Sequence, residues 1–199
     1  MLDAKNFSTQ KLVLLAILTA VVIILQVLGT FIRFGPFSIS LVLMPIAIGA
    51  ALLGIVAGAW LGLVFGFVVL ISGDANLFLA INPAATVLVV LLKGTLAGFI
   101  AGVAYKCFEK YSKTISAVAA AIVCPVVNTG IFIAGCYLFF LPTITEWATA
   151  AGAAGVTAFI FIGIIGANFL IELGINIVLS PAIVRLIQIS SDSKQKNPA

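Results

Sequence analysis

Charge is scarce in this sequence of 199 residues: Asp, Glu, Lys and Arg together make up 8% of it. A soluble domain carries about a quarter. So few charges cannot cover a water-exposed surface, and 63% of the residues are hydrophobic, with a mean hydropathy of +1.34. The chain is therefore expected to be a multi-pass protein of the cell membrane, with the lipid bilayer as its solvent. Histidine is absent altogether. That removes the commonest general base and metal ligand. The three cysteines, Cys107, Cys124 and Cys136, form no CxxC pair and read as small hydrophobes, without a disulfide framework. No GxxxxGK[ST] occurs, so the chain has no phosphate-binding loop of its own. No nucleophile–base pair or metal-ligand cluster stands out, which argues against an enzyme and implies no cofactor. The net charge of +4 carries no message about nucleic acid, because in a membrane protein the placement of basic residues is what informs.

What the sequence has in abundance is long apolar runs. Lys11–Gly29 predicts a first, retained helix rather than a cleaved leader, since no small-x-small site closes it. The uncharged run from Ile39 to Ile71 is too long for one ordinary span, and Gly54 divides it into helices near 39–53 and 55–72. Ala84–Tyr105, Ile115–Phe140 with a kink at Pro125, and Thr157–Ile187 with a bend at Pro181 complete the set. The expected fold is an all-α membrane bundle of six helices, one domain over residues 1–199. Placing both termini in the cytoplasm puts Lys5, Lys11, Lys106, Lys110, Lys113, Arg185, Lys194 and Lys196 inside, eight of the ten basic residues. The outside then holds connections 29–38, 72–83 and 141–157, the last with the small-residue stretch "ATAAGAAG", a mobile loop or a close-packing one.

Glycine recurs every four residues at Gly54, Gly58, Gly62 and Gly66, and again at Gly94, Gly98 and Gly102. Such ridges let helices approach closely in lipid, and packing within the chain's own bundle is the expected use. Ala16 and Ala20 repeat the spacing in "AILTA" of the first helix.

Against this background a few polar groups stand out. A charge at mid-bilayer costs about 2.5–3.5 kcal/mol on insertion scales. Lys93 lies in the fourth helix and Glu172 in the sixth; Gln26, Asn128, Asn168 and Asn176 add amides. Asn168, Glu172 and Asn176 are spaced by four and make one polar stripe, drifting about 40° per step. Counted from the outer helix ends, Lys93, Asn168, Asn128 and Glu172 lie within about one or two turns of one depth. The last three helices are thus expected to gather them around one outward-facing cavity. A Lys93–Glu172 ion pair with interhelical amide bonds is the structural alternative, and the two roles are compatible. Such bonds return only about 0.6 kcal/mol on average, a weak reason for so many polar groups. In "GTFIRFGPFSIS", Phe31, Phe34 and Phe37 alternate with Arg33. This loop either caps an organic ligand or forms an interfacial aromatic belt. The loops with Asp74, Asn76 and Asn82, and with Glu146 and Trp147, are weaker candidates.

The joint order of "AILTA", "FGPFSISLVLMPIAIGAALLGIVAGAWLGLVFG" and "PVVNTGIFIAGCYLFF" resembles the substrate-binding S components of energy-coupling factor (ECF) transporters, over nearly the whole chain. That resemblance implies a vitamin- or metal-binding membrane subunit of an ABC importer. Its partners would be a transmembrane coupling subunit and two ATPase subunits, and its docking surface an alanine ridge such as Ala16 and Ala20. Without histidine, an organic micronutrient is the better match. A buried cation and several amides suit pantothenate, its carboxylate near Lys93 or Arg33; riboflavin or another vitamin stays open. The proposed substrate-binding set is Lys93, Asn128, Asn168, Glu172, Arg33, Phe34 and Phe37. The rival class is a standalone proton-coupled transporter that titrates Glu172, although no inverted repeat is evident.

Overall fold

A computed structural model describes residues 9–31, 33–34, 37–38 and 41–196. The chain forms helices at almost every apolar run. Helix α1 spans Thr9–Gly29, and a two-residue hairpin follows, β1 (Arg33–Phe34) against β2 (Phe37–Ser38), antiparallel. Helices α2 (Leu43–Leu53) and α3 (Ile55–Ile71) come next, then the short α4 (Asn76–Leu79), α5 (Pro83–Phe108), α6 (Lys113–Phe139) and α7 (Leu141–Ala150). The one-turn α8 (Val156–Ala158) leads into a π-helical segment, Phe159–Ile165, and α9 runs from Gly166 to Lys196.

Local chemistry sets several boundaries. Gly54 has φ +99°, a conformation that L side chains avoid, and it separates α2 from α3 where the sequence predicts the break. Asn82 caps α5, its side chain accepting from the Ala85 amide at 3.1 Å with Pro83 at the first helical position. Ser112 caps α6 in the same way, accepting from the Thr114 amide at 3.2 Å. Pro125 lies inside α6, which continues through it.

Length limits what these helices do. By length and composition α1, α5 and α6 are able to cross a membrane, and the segment through the π helix into α9 makes a fourth if the bent pair is one span. Helix α2, with 11 residues, is about 16 Å long and α3, with 17, about 25 Å. The hydrocarbon core is about 30 Å thick. The last predicted helix is also not continuous: it bends by 48° between Ile165 and Asn168. The break falls at Gly166, about four turns before the proline at which the sequence suggests a bend. The stretch expected as the outer connection 141–157 is largely helical, and its Ile144 and Ala148 are buried.

The two glycine ridges meet. A Cβ placed on Gly58 would lie 2.5 Å from the Gly98 carbonyl oxygen, and one on Gly62 would strike the Gly94 carbonyl. One on Gly66 would lie 3.0 Å from the Val90 carbonyl, and one on Gly102 2.8 Å from Ile55 Cα. Helices α3 and α5 therefore run antiparallel in one register, backbone on backbone. Around this seam a core gathers Leu43, Ile46, Leu61, Phe65, Ala97 and Ala101, among others. A second, smaller core holds Phe78, Phe140, Ile144 and Ile160.

The glycine seam yields a stability test. Gly62→Ala and Gly98→Ala each force backbones apart and are expected to cost about 1–3 kcal/mol, read as a lower midpoint of thermal unfolding in detergent. Gly130→Ala, whose Cβ would meet nothing within 4 Å, is expected to leave the midpoint unchanged or slightly higher.

Candidate functional site

Lys93 follows directly from the glycine seam. It precedes Gly94, and the close approach of α3 brings the Phe65 ring to 5.6 Å from its Nζ. Phe132 of α6 lies at 5.4 Å on another side. A desolvated cation over an aromatic face gains about 2 kcal/mol. Two rings thus offset much of the insertion cost of a lysine in lipid. Glu172 and Asp74 both lie close enough to act on Lys93 electrostatically.

The lysine lines a cavity with an open interior of about 110 Å³. One water needs about 10–15 Å³ by such a measure, so there is room for a small organic molecule rather than a lone solvent molecule. Asn128 of α6 and Asn168 and Glu172 of α9 line the same cavity, so the structure brings together all four polar residues that share a predicted depth. Asn176 does not line it. It is 1% exposed, and its Nδ2 donates to the Glu172 carbonyl oxygen at 2.8 Å, so the polar stripe divides into two cavity residues and one that braces the backbone beneath them.

The first half of the chain contributes a wall as well, beyond the loop residues Arg33, Phe34 and Phe37 that the sequence reading adds to the last three helices. Gln26 of α1 and Asp74, in the turn after α3, also line the cavity and are hydrogen-bonded to each other, Gln26 Nε2 donating to Asp74 Oδ2 at 2.7 Å. Gln26 was visible as an amide in an apolar run, but nothing local ties it to residue 74. Thr86 and Thr129 add hydroxyls, and Phe78, Phe132, Phe140 and Phe169 add rings. Phe78 is the hub of an aromatic cluster, 5.6 Å from Phe132, 4.8 Å from Phe140 and 6.0 Å from Trp147 of α7. No spacing in the sequence marks these rings, because phenylalanine is as common on lipid-facing surfaces as inside. For Arg33, Phe34 and Phe37 the backbone is placed in the hairpin, while their side chains lie outside what the structure describes.

Three amide oxygens on this cavity, Gln26 Oε1, Asn128 Oδ1 and Asn168 Oδ1, are buried without a hydrogen-bond partner. Buried polar atoms are almost always paired. Three such atoms on one cavity are open to hydrogen bonds from a molecule that enters it; a fourth, Asn176 Oδ1, lies away from the cavity. Among the described residues no group of three His, Cys, Asp or Glu side chains is arranged to hold a metal ion.

Ala16 and Ala20 lie elsewhere. Helix α1 buries Leu18, Val22, Gln26 and Gly29 on one face, and both alanines are exposed on another.

This combination, an apolar helical chain around a cavity that carries Lys93, Glu172 and several amides, meets an independent finding. The profile of a protein family described as ECF transporter, substrate-specific component, matches residues 10–184. The chain belongs to that family. No curated protein sequence matches it. As an ECF S component it is a multi-pass membrane transport subunit, takes a small-molecule substrate, and works with ECF membrane and ATPase modules. It is a transporter subunit.

Phe78 joins the cavity wall to the smaller core, which makes its removal informative. Phe78→Ala is expected to cost the S component about 3–5 kcal/mol, measured by unfolding in detergent, and to shift the emission of Trp147 toward that of an exposed indole.

Proposed function

We propose that this S component captures an organic micronutrient on the outer side of the cell membrane, with pantothenate as its substrate. The observation that carries the reading is the cavity: Lys93, Asn128, Asn168 and Glu172 converge on it from three helices, with three unpartnered amide oxygens and four phenylalanine rings around them. Pantothenate is complementary to that set. Its carboxylate suits the lysine, its amide and hydroxyls suit the side-chain amides, and its two methyl groups suit the rings. Six membrane crossings with both termini in the cytoplasm belong to the same reading, as do the hairpin residues Arg33, Phe34 and Phe37 as a cap over the bound molecule.

Energy comes from a transmembrane coupling subunit and two ATPase subunits, since the chain carries no phosphate-binding loop. The exposed ridge of Ala16 and Ala20 is the surface on which the coupling subunit docks. Small side chains there let a partner helix come close in lipid.

Binding of labelled pantothenate to the purified protein tests the cavity. Lys93→Ala is expected to weaken it about 10- to 100-fold. Asn128→Ala and Asn168→Ala are expected to cost about 1–3 kcal/mol each. Normal binding by all three variants would place the site elsewhere.

Docking separates from binding in a second measurement. Ala16→Leu and Ala20→Leu are expected to leave pantothenate affinity within about twofold and to abolish ATP-driven uptake and copurification of the coupling subunit. Normal uptake by both variants would remove the ridge from the interface.

A further inference from the structure

Gln26 reaches the cavity from α1, the helix that also carries the exposed alanine ridge. It is 1% exposed, and its Nε2 donates to Asp74 Oδ2 at 2.7 Å. In this contact the Asp74 carboxylate oxygen is the acceptor and the amide nitrogen the donor, which sets the orientation of the amide. The nitrogen faces Asp74, so the carbonyl oxygen is the other arm. That oxygen is buried and meets no donor among the described residues. Asn128 and Asn168 also carry unpartnered oxygens, but no carboxylate holds either amide among the described residues, so each is free to present oxygen or nitrogen. Gln26 is fixed in one sense: it accepts.

We infer that Gln26 Oε1, locked by Asp74, accepts a hydrogen bond from an O–H or N–H group of the transported molecule and so selects its substrate class. This rests on the reading of the cavity as the substrate site. The molecule is then a small acid with two separate handles: an anionic group for Lys93, and a donor for the wall that the first half of the chain supplies. An aliphatic acid without such a donor forgoes the hydrogen bond to Oε1 that a donor-bearing acid gains, and binds more weakly. In pantothenate the terminal hydroxyl, at the end away from the carboxylate, is that donor.

The test compares labelled pantothenate with its analogue lacking the terminal hydroxyl, on the purified full chain. Wild-type protein is expected to bind the analogue roughly tenfold more weakly or worse. Gln26→Met, similar in length but without an acceptor, is expected to bind pantothenate as weakly as the wild type binds the analogue, and to bind the two equally. Asp74→Asn, which frees the amide to turn, is expected to reduce the discrimination several-fold; if Gln26→Met fails to fold, this variant decides by the same criterion. Equal binding of the two compounds by the wild type overturns the inference, as does full discrimination in the variants that fold. In either case a loss of binding in Lys93→Ala leaves the cavity reading standing. Unchanged pantothenate binding in Lys93→Ala, or none in the wild type, overturns that reading and this inference with it.

Discussion

Where Gly58 meets Gly98 and Gly62 meets Gly94, two helix backbones touch with no side chain between them. In water such a seam would be an odd choice, because it buries little apolar area. In lipid, burying one leucine against another gains little over leaving it in the acyl chains, and close backbone packing becomes the stronger source of association. The seam also fixes register. Once Gly62 sits on Gly94, neither helix can slide without driving a side chain into a carbonyl. Helix α5 is thereby held at one height against α3, and Lys93 is held with it.

The consequence for chemistry is local and specific. A lysine in this environment needs neighbours that tolerate a cation without water. Phe65 comes from the helix across the glycine seam and Phe132 from α6, each ring under 6 Å from the ammonium. Glu172 and Asp74 lie close enough to act on it electrostatically. Lys93 is not enclosed by these neighbours, since it also lines the open interior. The same economy explains the amides. Three amide oxygens have no partner among the described residues and are open to an arriving molecule.

Helix α1 shows a different division of labour. Both of its faces are apolar, yet one packs on α2 and α3 through Leu18 and Val22 while the other leaves Ala16 and Ala20 uncovered. Gln26 belongs to the packed face, so a single helix carries a cavity wall on one side and a small-residue ridge on another. Trp60 of α3 reaches α1 as well, its Nε1 donating to Thr19 Oγ1 at 3.3 Å. The last helix is divided instead along its length. The π-helical segment and the bend before Asn168 set Ile164 and Ile165 on the cavity wall above Asn168 and Glu172.

Residue order alone determined the membrane habit, the helix break at Gly54, the glycine ridges, and the expectation that Lys93, Asn128, Asn168 and Glu172 share one depth. These are properties of period and composition: 3.6 residues per turn and 1.5 Å per residue act within one segment, and a charge in an apolar run is conspicuous wherever the run packs. Tertiary structure decided what those signals could not reach. It joined Gln26 to Asp74 across 48 positions, chose Phe78, Phe132, Phe140 and Phe169 from fifteen phenylalanines as cavity wall, and turned Asn176 away from the cavity that its stripe had promised. It also put the break of the last segment at Gly166, ahead of Pro181. The physical reason is the solvent. In water, the contrast between apolar inside and polar outside writes each helix's orientation into the sequence. In a bilayer both faces are apolar, so which face turns inward is settled by contacts between distant segments.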